Sequence, residues 1–220
     1  MPSALLTQAE IDRLRPAADA ELAKAWDEPL LLRKAHDGYH RLPDGRPMMG
    51  QGPECAAIYL LRDPWDVAVS MTNHFDCSLE QAVENLCNPA FAVAKSRKGL
   101  SGQLRQDLGT WEAHATGWLK APLDLCLLRY ERMRAEPLSE FRRAVRFLGL
   151  TQDDAAIEAA LEASRFERLQ QQETEQRFRE TPHHAQAFFR QAPRGDHGLD
   201  PFAHRLQRGA AVITARGLAA

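Results

Sequence analysis

Two groups of residues in this 220-residue chain could do chemistry. Arg62 and Ser70 flank the dipeptide Asp63-Pro64, and Lys34 and His36 stand two apart earlier in the chain. With Arg62 closing a strand and Ser70 two turns into the next helix, a bidentate guanidinium and a hydroxyl converge on one anion. They do so above a helix N-terminus, whose dipole favours negative charge. Pairing of Arg62 with a local carboxylate, with Ser70 facing a neighbour, accounts for the same residues. On an extended chain Lys34 and His36 point to one side, which sets an ammonium beside an imidazole. A hydrogen-bonded structural histidine is the plainer account of His36.

The elements that must position these groups surround them. Residues 56–61 (AAIYLL) have the length and composition of a strand covered on both faces. Asp63 then suits an N-cap and Pro64 the first helical position, and Val67, Ser70, Met71 and His74 share a helix face. Residues 29–33 (PLLLR) read as a second buried strand that places Lys34 and His36 at its end, and residues 123–128 as a third, ending at Arg129-Tyr130-Glu131. Residues 5–25 are helix-like, with a Thr7/Glu10 capping box, apolar Leu14, Leu22 and Trp26, and a break at Pro16. Helices are expected over 78–94, through Trp111 and Trp118, over 137–148 up to Gly149, and from a Thr151/Asp154 cap to Leu161. The Gly- and Pro-rich 38–54 is a loop that lines an acceptor pocket or simply meets solvent. The basic stretch 95–103 steers a polyanion or is a solvated loop, and 170–181 is polar and exposed.

The length fits one domain spanning residues 1–220, burying roughly 70% of the unfolded surface. A net charge of −2 argues against a bulk electrostatic grip on nucleic acid or an anionic membrane, so any polyanion site is local. The four cysteines lack metal or redox spacing and are expected as buried or free thiols in a reducing cytoplasm. His74 with Cys77, and His183-His184, fall short of a metal-ligand set. No apolar run of about 18 residues occurs, so no membrane span is inferred.

The segment R-D-P-W-D-V-A-V-S at 62–70, with H-F after it, closely resembles the 3′-phosphate-binding segment of sulfotransferases that use 3′-phosphoadenosine 5′-phosphosulfate (PAPS). K-A-H at 34–36 stands where that family has K-T-H, and G-T-W-E-A-H-A-T-G-W at 109–118 is similar to its G-S-W-x-x-H-x-x-x-W. R-Y-E at 129–131, R-F-L-G at 146–149, S-R-F at 164–166 and F-F-R-Q-A-P-R-G-D at 188–196 continue the series in family order. The resemblance implies an α/β fold with a P-loop-like parallel sheet flanked by helices. It implies that His36 is the general base, Lys34 a cation at the transferring group, and His114 a contact to the acceptor. Arg62 and Ser70 would hold the 3′-phosphate, and Tyr130, Ser164 and Phe166 the adenosine. Phe188, Arg190, Gln191 and Ala192 would close over the cofactor, although Gln191 and Ala192 replace the family's Lys and Gly.

The implied reaction moves the sulfuryl group of PAPS to a hydroxyl or amine of a small-molecule acceptor, without metal, leaving 3′-phosphoadenosine 5′-phosphate (PAP). A Gly-rich loop of the P-K-S-G-T-T type, which in the family wraps the phosphosulfate, is not found in the sequence, so the first βα unit is expected to be missing. A non-catalytic PAP-binding remnant or interaction protein is therefore the alternative. An exposed sheet edge could favour self-association. The family's C-terminal dimer motif has no match in 200–220, which leaves the oligomeric state open.

Overall fold

The structure, a computed structural model, describes residues 6–50, 55–94, 104–150, 153–176, 187 and the main chain of 210–216. In chain order the elements are α1 (Gln8–Lys24), β1 (Leu32–Ala35), β2 (Cys55–Leu61), α2 (Pro64–Phe75), α3 (Leu79–Leu86), β3 (Ala92–Val93) and β4 (Gln106–Asp107). They continue with α4 (Trp111–Leu119), β5 (Asp124–Arg129), α5 (Tyr130–Ala135), α6 (Pro137–Phe147), α7 (Asp154–Ala163), α8 (Phe166–Gln176) and β6 (Ala210–Arg216). The main sheet has the order β1-β6-β2-β5, and β3 pairs with β4 in a small ribbon. β2 and β5 are parallel, while β6 runs antiparallel to both β1 and β2. β1, β2 and β5 consequently point the same way, and their carboxyl ends open on one edge.

Alternation along β2 places the core. Ala57 and Tyr59 pack with Ala35, Met48, Met49, Ala115 and Trp118 on one face. Ile58 packs with Cys126, Leu128 and Ala144 on the other, so β2 is covered by α4 on one side and α6 on the other. A further cluster joins α2, α3 and Trp111 through Ala68, Met71, Val83, Leu86 and Phe91. Trp111 and Trp118, both buried on α4, therefore serve different clusters.

The expected central strand, the Asp63 cap with Pro64 at the first turn, the third strand and the Ser78 cap are all present. Several expectations are corrected. The second strand starts later than 29–33: β1 is Leu32–Ala35, an edge strand with Leu32 53% exposed, so Lys34 lies inside it. α1 keeps its Thr7/Glu10 capping box and runs through Pro16 without a break, while Leu14, Leu22 and Trp26 face outward and Ile11 and Pro16 are buried. On α2 the buried positions are Pro64, Ala68 and Met71, and Ser70 and His74 are exposed. The helix from Ser78 stops at Leu86, before Asn88-Pro89, because the residue ahead of a proline is pushed out of the α region. The cap of α7 is Asp153, whose carboxylate accepts from Ala156 N–H at 2.7 Å. Gly149 adopts φ +69° as α6 ends, the left-handed conformation glycine takes freely. All four cysteines are free, with Cys126 buried. Residues 95–103, Thr151 and 188–196 lie outside the described residues.

Candidate functional site

Of the predicted groups, His36, Arg62 and Tyr130 stand at the carboxyl edge of the sheet. Ala35 and Tyr59 pair with the same residue of β6, Val212, so His36 lies level with Leu60, with the one strand β6 between β1 and β2. Two strand spacings separate the β1 and β2 ends, about 10 Å. Leu61 pairs with Arg129, which brings Arg62 and Tyr130 together at the next step.

At the end of β2 the Arg62 guanidinium carbon lies 4.4 Å from the centre of the Tyr130 ring, a cation–π contact. Its Nη2 is 3.4 Å from the Asp66 carboxylate, yet its Nε is buried without a hydrogen-bond partner. The local-carboxylate account of Arg62 is thus met only in part, and a donor is left over. Asp63 N–H donates to Glu131 Oε1 at 2.7 Å, and the Asp63 carboxylate accepts from Trp65 N–H at 2.8 Å. This double use of Asp63 fixes the β2–α2 turn against the end of β5. Arg62, Asp66 and Ser70 follow at intervals of four, so the exposed Ser70 continues the line along α2.

Across the edge, the turn after β1 is held from every side. Asp37 is 1% exposed; its carboxylate takes a bidentate pair from Arg15 at 3.2 and 2.9 Å and the Asp107 N–H at 3.0 Å. Burial works against the Arg15 charge, but the hydrogen bonds and charge of Asp37 more than offset it and raise the Arg15 pKa. The Asp37 carbonyl accepts from Trp118 Nε1 at 3.0 Å, and Gly38 N–H donates to Asp107 at 2.8 Å. His114 Nε2 lies 3.0 Å from the His36 carbonyl, and Nδ1 lies 3.2 Å from the Tyr59 hydroxyl. Burial lowers the His114 pKa below its ordinary value, with the His36 hydrogen bond and the Asp37 charge pulling back. Gly117 allows the loop to close: a Cβ there would stand 2.8 Å from the Tyr39 carbonyl oxygen. His36 is half-buried and Lys34 exposed.

The sequence model of the sulfotransferase domain matches residues 14–208. This chain belongs to the sulfotransferase domain family. It is 33% identical over 128 residues to cytosolic sulfotransferase 17 of Arabidopsis thaliana, covering 56% of this chain and 34% of that protein. It is 30% identical over 122 residues to sulfotransferase 1B1 of Mus musculus, covering 54% of this chain and 38% of that protein. The chain thus spans well under half the length of these curated relatives. The crystal structure of mouse sulfotransferase SULT7A1 complexed with PAP matches with a TM-score of 0.46 and 18% identity, over 63% of this chain and 50% of that one.

Within this sulfotransferase domain the remaining predicted residues fall into two groups. Ser164 turns its hydroxyl back onto Ala160 and Leu161 carbonyls of α7, and Phe166 opens α8 half-buried. Neither is joined to Arg62 or Tyr130 by a hydrogen bond or ring contact among the described residues. Phe188, Arg190, Gln191 and Ala192 lie outside the described residues. Among the described residues no group of three or more His, Cys, Asp or Glu could hold a metal ion, and no helix is long and apolar enough to cross a membrane. Arg15, Asp37 and Gly117 carry the site's architecture without a sequence signal, because their partners lie far along the chain. Glu131 did have one: it continues the family's Y-E pair.

Proposed function

We propose that this chain binds PAPS along the carboxyl edge of the sheet and transfers its sulfuryl group to a hydroxyl or amine of a small acceptor. The observation that carries the reading is Arg62, stacked on Tyr130 with a buried Nε that has no acceptor, on the same edge as His36. A phosphate oxygen would satisfy that donor, and charge-assisted hydrogen bonds to phosphate are the strong ones. Arg62 and Ser70 hold the 3′-phosphate in this reading, and Tyr130 borders the adenine; Ser164, Phe166 and the 188–192 segment follow from family resemblance alone.

In the transfer step the acceptor oxygen loses its proton to the His36 imidazole and forms a bond to sulfur. The bond between sulfur and the 5′-phosphate oxygen breaks, its electron pair leaves with PAP, and Lys34 stabilises the departing charge. Incubation with 35S-labelled PAPS and a panel of alcohols, phenols and amines tests this: labelled product is expected, and His36→Ala abolishes it while PAP affinity stays within about twofold. The names of the curated relatives favour a cytosolic setting.

One observation favours a second reading, PAP binding without transfer: the strand between β1 and β2 is the antiparallel β6. PAP binding by calorimetry with no labelled product in any acceptor reaction would select it.

A further inference from the structure

His114 is a buried group whose two ring nitrogens are both used inside the protein. The ring is 4% exposed and lies close to parallel with Tyr59, centroids 6.1 Å apart at 19°. The His36 carbonyl can only accept, so Nε2 must carry the ring proton and donate it. Nδ1 is then the acceptor for the Tyr59 hydroxyl, which is itself fully buried on β2. One residue on, the Asp37 carbonyl is held by Trp118 and its carboxylate by Arg15 and Asp107. One residue back, Ala35 is paired in β1. The main chain on both sides of the His36 Cα is therefore fixed, and the direction of its Cβ with it.

We propose that His114 is a positioning residue for His36, gripping its carbonyl from α4 and transmitting the fixed place of Tyr59 in the sheet to the base. This rests on the reading of His36 as the base. It gives His114 a role through the main chain, where family resemblance implied contact with the acceptor. A ring this buried, with neither nitrogen free, has little left to offer a substrate. The relay also explains why a histidine stands here and not an apolar residue of similar size: only a donor and an acceptor at opposite ends of one side chain connect a carbonyl to a hydroxyl. Glutamine has both, phenylalanine neither.

The test compares His114→Gln, His114→Phe and the double variant His114→Phe/Tyr59→Phe, the last removing the hydroxyl that His114→Phe would orphan. Two readouts are needed: labelled turnover with PAP affinity, and the ring resonances of 13C-histidine-labelled protein with His36 assigned by His36→Gln. His114→Phe is expected to lower kcat about 100-fold, the size of a roughly 1 Å misplacement of a catalytic group, with PAP affinity within twofold. The His36 resonance should leave its wild-type position in His114→Phe and in the double variant. His114→Gln should recover most of the turnover and return the resonance.

An unchanged His36 resonance in both phenylalanine variants would overturn the proposal. So would equal losses of turnover in His114→Gln and His114→Phe with the resonance in place, which would mark direct acceptor contact. Full turnover in His36→Gln would instead remove the base assignment. The resonance arm reports on positioning in that case, and equally where no acceptor yields product.

Discussion

At the scale of single residues, Arg62 is the most exposed to test, because its surroundings predict a difference and not only a loss. Its guanidinium already has Tyr130 beneath it and Asp66 beside it, and its buried Nε has no hydrogen-bond partner. Arg62→Ala should weaken PAP binding by about 10- to 100-fold, the range of hydrogen bonds to a charged group, and weaken adenosine binding far less in calorimetry. Equal losses for both ligands would mean that Arg62 does not hold the 3′-phosphate. Arg62→Lys should restore little, since a point charge neither stacks on the ring nor offers a fork. His114 gives a second prediction at this scale. Its folded pKa lies below the ordinary 6.5 because the ring is buried, so the unfolded chain takes up the proton first as pH falls. The stability contributed by neutral His114 is complete above about pH 6.5 and is lost as pH falls from there toward the folded pKa, by up to about 1.4 kcal/mol per pH unit. Urea unfolding at pH 7.5 and 5.5 should show the wild type losing more stability than His114→Gln, and identical losses would refute the assignment. The pairs Lys34/His36 and Arg62/Ser70 could be proposed from the sequence because their spacing is local. The partner of His36 was not, since 78 positions separate it from His114.

At the scale of elements, what the sequence showed best were units closed by their own neighbours. β2 and α2 were readable because an apolar run, an Asp cap and a proline at the first turn agree with one another. β1 was misplaced because Pro29-Leu30-Leu31 carries the apolar signal, while the paired residues Leu32–Ala35 are mostly exposed on an edge. α1 misled in a related way: its leucines face outward, and its inward anchor is a charged side chain, Arg15, which finds Asp37 22 positions later. That pair joins α1 to the turn carrying His36, with the Arg15 and Asp37 side chains 14% and 2% exposed. Asp37→Ala should cost about 3–5 kcal/mol in urea unfolding, because it leaves a buried guanidinium unpaired. Arg15→Met with Asp37→Asn removes both charges, retains an acceptor for the Asp107 N–H, and should regain most of the loss. A double variant no more stable than Asp37→Ala would show that the carboxylate matters through Asp107 and not through Arg15.

For the whole molecule, the least legible feature is the one that joins its halves. β6 comes from a stretch with little to mark it except Val212-Ile213-Thr214, a β-branched triplet between Gly209 and Gly217. It pairs with β2 from Cys55 to Leu61 and with β1 from Leu32 to Ala35, and β1 has no other sheet partner among the described residues. Lys34 and His36 are therefore tied to the sheet through β6, whereas Arg62 and Tyr130 stand on the directly paired β2 and β5. Ending the chain after Gly209 should act unequally on the two sides of the site. With Arg62 as the proposed phosphate ligand, PAP affinity should fall less than tenfold in the fraction that folds, while labelled transfer falls below detection. The bared edges of β1 and β2 should also pair between molecules, so light scattering behind size exclusion should show larger soluble assemblies than the full chain forms under the same conditions. A truncated protein with the size distribution of the full chain and retained transfer would show that β6 is not the link between the proposed base and the proposed phosphate site.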